Sequence, residues 1–409
     1  MRILVLTQVA VYPADAGPKV KTLQVLRHLA ARHEVVYCTY VRSETEAQNV
    51  QRLLEICVRV VTVPLKRSRI SNVRYLLESI VTNDSFLMHR DDRAEMHRTV
   101  RRLIREECID ALHIDQLNMM RFVPSDWRGP VILDEHNAVW QVMERLYKGA
   151  KNPIIRAVLR REARVMCSLE GAACRRASTV LAVSQHDREA LRAVAGGQTP
   201  IEVIPITVNA KQLEPLWKAR NPQPDRLFTI GTMFWLPNSE GMLWWLREGY
   251  LHLRSLCPEV IYDVVGARPP RTLQAAAAEL ADEGVRLHGY VADATPFWTR
   301  ATLLAVPLLS GGGVRVKILE AMVIGVPVVS TTVGCEGLDV QDGKHLLIAD
   351  TPEEFARACA SVLRDEGLAL SLAENARKLI LERYDAGIAL KTLDVVYERM
   401  QKYPLRAAQ

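Results

Sequence analysis

Short apolar runs alternate with longer amphipathic stretches along this chain, and that alternation restricts the fold more than any other feature. Ile3 to Thr7, Glu34 to Tyr40, Val58 to Val63, Ala111 to Ile114, Val131 to Glu135, Thr179 to Ser184 and Glu202 to Pro205 read as strands buried on both faces, with helices between them. A strand–helix repeat of this kind predicts a parallel sheet covered on both sides. The pattern pauses at 206–225, where Pro215, Pro222 and Pro224 among Asn and Lys read as a linker. It resumes with Leu227 to Ile230, Ile261 to Val265, Val285 to His288, Leu303 to Val306, Val326 to Ser330 and Leu346 to Ile348. A chain of 409 residues exceeds what one hydrophobic core usually serves. The expected architecture is therefore α/β, with two Rossmann-like doubly wound parallel-sheet domains. Ligands of such folds bind beyond the C-terminal ends of the strands. The loop with Gly17, Pro18 and Lys19 is thus expected to face the loops at Gly231, Gly266, Tyr290 and Gly311 to Gly313 across a cleft.

The segment from Ser310 to Glu336, SGGGVRVKILEAMVIGVPVVSTTVGCE, carries the clearest chemistry. Three glycines, Gly311, Gly312 and Gly313, precede two cations at alternate positions, Arg315 and Lys317, and a helical run follows. Glycine lets backbone N–H groups approach a ligand, a helix N-terminus carries partial positive charge, and Arg and Lys neutralise an anion there. Such a site suits a diphosphate. Glu320 falls one to two turns into the helix, where a carboxylate can accept hydrogen bonds from paired hydroxyls such as those of a ribose. Its alternative role is an ion pair with Lys317, three residues earlier on the same face.

Hydrophobic residues make up 49% of the chain and charged ones 24%, ordinary for a globular protein, and no segment has the length and apolarity of a membrane span. The opening stretch Ile3 to Val11 is interrupted by Thr7 and Gln8, which suits a buried strand better than a signal peptide. Eight cysteines without a C-x-x-C pair read as reduced cytosolic thiols. Charge is uneven: residues 1–205 hold 31 Lys and Arg against 23 Asp and Glu, residues 206–409 hold 22 against 24. Arg156, Arg160, Arg161 and Arg164 are spaced to share a helical face, which suits a solvated helix, an anionic membrane surface or a polyanionic acceptor. No nucleic-acid module or interleaved aromatic stripe accompanies them, so nucleic acid is not an expected partner.

The 310–336 segment resembles the donor-site signature of retaining GT-B glycosyltransferases of family 4, the glycosyl transferases group 1. LEAM and G-V-P-V-V-S match, and Glu320 takes the place of the signature's second Glu. Gly312 stands where the first Glu is usual; some members carry a GGGxRxK version, as here. The resemblance continues in MRILVLTQVAVYPADAG at the N-terminus, LDEHNAVW (133–140), RRASTVLAVSQHD (175–187), GTMFWLPNSEGMLWWL (231–246), YDVVGARPP (262–270) and VRLHGYVAD (285–293). These soft motifs become specific by their fixed order.

What the resemblance implies is a GT-B fold with an N-terminal domain at 1–207, a linker at 208–225, a donor domain at 226–384 and a C-terminal helix at 385–409 crossing back to the first domain. It implies transfer of a sugar, with retention, from a UDP- or GDP-linked donor to a saccharide, lipid-linked or small-molecule acceptor, without metal or other cofactor. His136, which follows Asp134 and Glu135, matches a His that hydrogen-bonds the donor sugar. Arg315 and Lys317 complete the catalytic set. Gly17, Gly231, Tyr290, Val291, Gly311, Gly312, Gly313, Val314 and Glu320 are the implied donor-binding residues. Many members carry Arg and Lys at the start of the second domain; Thr232 and Asn238 stand here instead, which leaves phosphate neutralisation to Arg315 and Lys317. Ser184 is expected to cap the helix starting near Asp187. The implied setting is polysaccharide biosynthesis in the cytoplasm, with peripheral contact at the inner face of an anionic membrane. A GT-B sugar-nucleotide epimerase, a catalytically weakened donor-binding scaffold and, from charge alone, a membrane-surface or polyanion-binding module remain open as alternatives.

Overall fold

The computed structural model describes residues 1–14, 17–67, 69–150, 152–197, 199–311 and 314–401. The chain divides into two units, Met1–Ile206 with Leu390–Gln409, and Thr207–Ala389.

The first unit is built on seven parallel strands: β1 (Arg2–Thr7), β2 (Glu34–Val41), β3 (Arg59–Pro64), β4 (Ala111–Asp115), β5 (Val131–Asp134), β6 (Thr179–Ala182) and β7 (Ile201–Val203). Their order is β3-β2-β1-β4-β5-β6-β7, so the winding reverses between β1 and β4. Ile3, Leu4, Val5 and Leu6 of β1 have no exposed surface, as a central strand covered on both faces requires. The second unit has β8 (Arg226–Ile230), β9 (Ile261–Val265), β10 (Val285–Gly289), β11 (Leu303–Val306), β12 (Val328–Ser330) and β13 (Leu347–Ile348) in the order β10-β9-β8-β11-β12-β13, reversing between β8 and β11. Each strand lies within a few residues of the run that predicted it. In sheets of this kind the place where the strand order reverses, at the C-terminal edge, is where ligands generally bind.

Two expectations need correction. The 208–225 segment contains the helix Ala210–Lys218 and belongs to the second unit. Asn209 caps this helix through the Gln212 N–H at 3.0 Å, Val208 exchanges backbone bonds with Tyr384 and Ala386 at 2.9 Å each, and Arg377 sits 4.0 Å over the Trp217 ring. Local capping and aromatic packing outweigh the helix-breaking character of Pro215. The terminal helix is also divided, into Ala386–Ala389 and Lys391–Gln401, and the break coincides with the return of the chain to the first unit. There Asp394 bonds His28 at 2.8 Å and Tyr397, 1% exposed, bonds His113 Nδ1 at 2.9 Å. All eight cysteines are free, and Cys38, Cys57, Cys174, Cys257, Cys335 and Cys359 are buried.

Candidate functional site

In the second unit the loops after β8, β9, β10 and β11 converge because their backbones run unusually close. A Cβ on Gly266 would lie 1.9 Å from the Gly231 carbonyl oxygen, and one on Gly241 would lie 2.0 Å from the Pro307 carbonyl oxygen. Gly231 N–H bonds Val265 O at 3.0 Å and Gly266 N–H bonds Gly289 O at 2.7 Å. Gly311 has φ +104°, a conformation open to glycine but strained for other residues. Gly312 and Gly313 lie outside the described residues.

The helix Val316–Ile324 begins at this edge. Arg315 is its N-cap and provides no side-chain cap, and no acidic residue occupies the first turn, so the helix's own first residues do not neutralise its electropositive end. Lys317 reaches back over Gly231, its Nζ 2.9 Å from where a Cβ would stand and 3.3 Å from Asn238 Oδ1. Asn238 in turn donates to the Thr232 carbonyl at 3.0 Å. The position read from sequence as a lost cation is thus the residue that aims the remaining one. Arg315 is 6% exposed, with its guanidinium 6.0 Å from the Trp235 ring centre. Burial, helped by Arg315, pushes Lys317 down to about 8, and burial lowers Arg315 as well.

Glu320 sits half-buried on the same helix, its carboxyl pushed up to about 7 by burial against the opposing pull of Lys317. The pair does not close into an ion pair among the described residues; Lys317 hydrogen-bonds Asn238 instead. Both groups therefore keep polar capacity for a ligand. Tyr290, 77% exposed, and half-buried Val291 follow β10 on the same edge, and Val314 is buried.

The first unit gathers a second set at its own reversal point. Lys21 pairs with Asp134 Oδ1, both side chains 1% exposed. Asp115 Oδ1 accepts from Thr22 Oγ1 at 2.9 Å and lies 3.0 Å from His136 Nε2. Gln116 Nε2 lies 3.2 Å from His136 Nδ1. Burial raises the Asp134 carboxyl, but Lys21, His113 and His136 outweigh it and hold it well below the usual carboxylate range. Ligand atoms of Asp115, Asp134 and His136 lie within 4.8 Å of one another, and the Lys21 ammonium supplies there the positive charge that a metal ion would bring. Gly17 opens the helix Gly17–Ala30 that carries Lys21 and Thr22. Ser184 caps its helix through the Asp187 N–H at 3.1 Å. The sequence singles out His136 but not Lys21, Thr22, Asp115 and Gln116, which the structure gathers around it; the available signal was polar residues at the ends of otherwise apolar strands and inside an apolar helix face.

Two doubly wound parallel-sheet units, each with its polar cluster at the sheet reversal, define the GT-B class of glycosyltransferases. Residues 224–365 match the family described as glycosyl transferases group 1, and residues 16–207 match the glycosyl transferase 4-like domain. The chain belongs to this group 1, family 4-like set of glycosyltransferases. Among solved structures it is similar to Anabaena Alr3699/HepE in complex with UDP, with a TM-score of 0.67 and 15% identity over 98% of this chain and 100% of that one. It is also similar to sucrose-phosphate synthase from Thermosynechococcus elongatus, with a TM-score of 0.68 and 15% identity over 98% and 99%. A third is WaaG, a glycosyltransferase involved in lipopolysaccharide biosynthesis, with a TM-score of 0.61 and 16% identity over 97% and 99%. One curated relative, an uncharacterized 44.6 kDa protein in the cps region of Klebsiella pneumoniae, is 25% identical over 162 residues, 38% of this chain and 42% of that protein.

Proposed function

We propose that the protein transfers a sugar from a nucleotide-diphosphate donor, UDP- or GDP-linked, to a saccharide, lipid-linked or small-molecule acceptor with retention at the anomeric carbon. The observation that carries this reading is the convergence of Arg315, Lys317 and the uncapped helix end at the reversal of the second sheet. Negative charge develops on the leaving diphosphate as the glycosidic bond breaks, and fixed cations stabilise it most in the transition state. Charge neutralisation by Arg315 and Lys317 makes a metal unnecessary in this scheme. Glu320 accepts the ribose hydroxyls, the loops at Gly231, Tyr290, Val291, Gly311 and Val314 seat the nucleotide, and His136 meets the donor sugar. Complexes of Alr3699/HepE with UDP and with UDP-glucose support a uridine nucleotide as the first donor to test.

The acceptor in this proposal is presented at an anionic membrane surface. Among the described residues no helix is long and apolar enough to cross a membrane. The helix Pro153–Arg176 begins with exposed Ile154, Ile155 and Val158 beside exposed Arg156, Arg160 and Arg164, and Leu77 and Val81 are exposed on the helix Arg69–Val81. Arg161 departs from this set, its Nη2 donating to Ser79 O at 2.6 Å and Asp84 O at 3.2 Å.

Calorimetric titration of UDP and GDP, followed by turnover of UDP-glucose, tests the donor assignment. Arg315→Ala and Lys317→Ala are each expected to lower turnover by on the order of 10 to 1,000 fold, since charge-assisted contacts to a developing anion are worth a few kcal/mol. Unchanged kinetics in the double variant overturn it.

A further inference from the structure

His136 is held at both ring nitrogens by neighbours in the first unit. A carboxylate oxygen accepts, so the 3.0 Å contact with Asp115 places a proton on His136 Nε2, and Asp115 is itself fixed by Thr22 at 2.9 Å. The other nitrogen, Nδ1, then accepts from the Gln116 amide at 3.2 Å. Asp134, Glu135, Lys21 and His113 surround this group, all nearly fully buried. Gln116 is half-buried and is the most exposed member of the chain Thr22–Asp115–His136–Gln116.

The backbone of Gln116 has φ 72° and ψ 151°, a combination that is costly for any residue other than glycine. It is imposed from both sides. The Gln116 N–H bonds Asp134 O at 2.9 Å, continuing the pairing of β4 with β5, while the Gln116 C=O accepts the Met119 N–H at 3.1 Å to open the turn Leu117–Phe122. Glycine would satisfy that geometry without strain. A long amide in its place keeps the strain and gains the bond to His136. Strained positions of this kind concentrate where a side chain must be aimed.

We propose that Gln116 is a positioning residue for His136: its amide fixes the imidazole from the Nδ1 side while Asp115 fixes it from Nε2. The amide suits the task because rotation by half a turn presents either its N–H to a neutral ring or its C=O to a protonated one, so the ring orientation survives a change of charge. The role rests on the reading of His136 as the group that meets the donor sugar, whose hydroxyl would take the place of the more exposed Gln116 amide at Nδ1 of the pre-aimed ring.

Three variants and one spectrum separate the ideas. Gln116→Gly removes amide and strain together and is expected to raise the melting temperature while lowering kcat for UDP-glucose by on the order of 10 to 100 fold, with KM within about threefold. Gln116→Met keeps the strain and the length but loses the bond; it is expected to lose kcat to the same extent with no gain in melting temperature. In the unliganded protein, 15N spectra of the His136 ring show the Nε2–H tautomer, held by Asp115, in the wild type and both variants, with the Nδ1 resonance shifted in both variants because its Gln116 donor is lost. Intact kcat, or a His136 spectrum unmoved by either variant, overturns the role of Gln116. His136→Ala with unchanged kcat sinks the assignment of His136 itself and this role with it, whereas a loss with His136→Ala and none with Gln116→Gly or Gln116→Met sinks only the latter.

Discussion

Lys21 and Asp134 form an ion pair in which each side chain is 1% exposed, at the point where the first sheet reverses its winding. The helix after β1 supplies the cation and the end of β5 supplies the anion. A pair buried this completely is held by mutual compensation, and removing one partner strands the other charge.

Lys21→Met is therefore expected to destabilise the first unit by roughly 3–5 kcal/mol, and adding Asp134→Leu should recover most of the loss. Asp134 has a depressed folded-state pKa, so its contribution is present above the unfolded value near 3.9 and is lost as pH falls below it. Urea midpoints at pH 7 and during acid titration check both statements. A single Lys21 variant as stable as the wild type contradicts the pairing.

Nucleotide affinity should pass through an optimum between about pH 7 and pH 8. Lys317, lowered to about 8, loses its charge above that value and with it the attraction for diphosphate; Glu320, raised to about 7, is ionised only above that value and is then the stronger acceptor. Calorimetry with UDP across pH 6 to 9 should lose its alkaline limb in Lys317→Met and its acid limb in Glu320→Gln. The same Glu320 substitution has a stability signature. A raised carboxyl pKa stabilises the fold below the unfolded value near 4.3, and that contribution disappears as pH climbs through about 7. Glu320→Gln should consequently match the wild type near pH 5 and melt higher at pH 8, while binding UDP less tightly. Lower stability with intact binding points to a structural role instead.

The strands were readable because buried parallel strands are apolar on both faces, so Ile261 to Val265 and Leu303 to Val306 announce themselves without context. The helix Ala210–Lys218 was not, since its support comes from Tyr384, Asp385, Ala386 and Arg377, far along the chain. In the cluster at the second reversal, Arg315, Lys317 and Glu320 stand out from their spacing alone. Asn238 was not, because only the three-dimensional path of Lys317 over Gly231 reveals what its amide is for. Lys21 was hidden for a related reason: a lysine in a helix reads as solvent-facing until its partner is known to sit beneath it.

Gly266→Ala should damage the proposed donor site through the backbone alone. The added methyl would stand 1.9 Å from Gly231 O, and Gly266 is held there by its bond to Gly289 O at 2.7 Å. Relief requires the loops after β8 and β9 to part, which costs on the order of 3 kcal/mol, the upper end for an overpacked position. Thermal melting reads the loss, and UDP affinity should fall with it because Lys317 rests over Gly231. A variant with wild-type melting and binding shows that the two loops separate freely.

Arg156, Arg160 and Arg164 form an exposed surface, and their prediction is separable from all the others. They stand on a helix whose first turns also expose Ile154 at 75% and Ile155 at 54%, so apolar insertion and cationic attraction act at one place. Each cation near anionic lipid contributes about 1 kcal/mol. Reversing two of them, Arg156→Glu with Arg160→Glu, should reduce binding to vesicles of phosphatidylserine and phosphatidylcholine by on the order of 100 fold or more, and salt should do the same as the screening length shrinks from about 10 Å at 0.1 M to about 3 Å at 1 M. Ile154→Ser with Ile155→Ser should weaken the salt-resistant part that remains. Arg161→Glu should behave differently and lower thermal stability, because Arg161 ties the helix to Ser79 and Asp84. UDP affinity should be unchanged in the Arg156, Arg160 and Ile154 variants, whose residues belong to the other unit from Lys317. Wild-type protein that ignores anionic vesicles at low salt removes the membrane from the proposal and leaves a soluble acceptor.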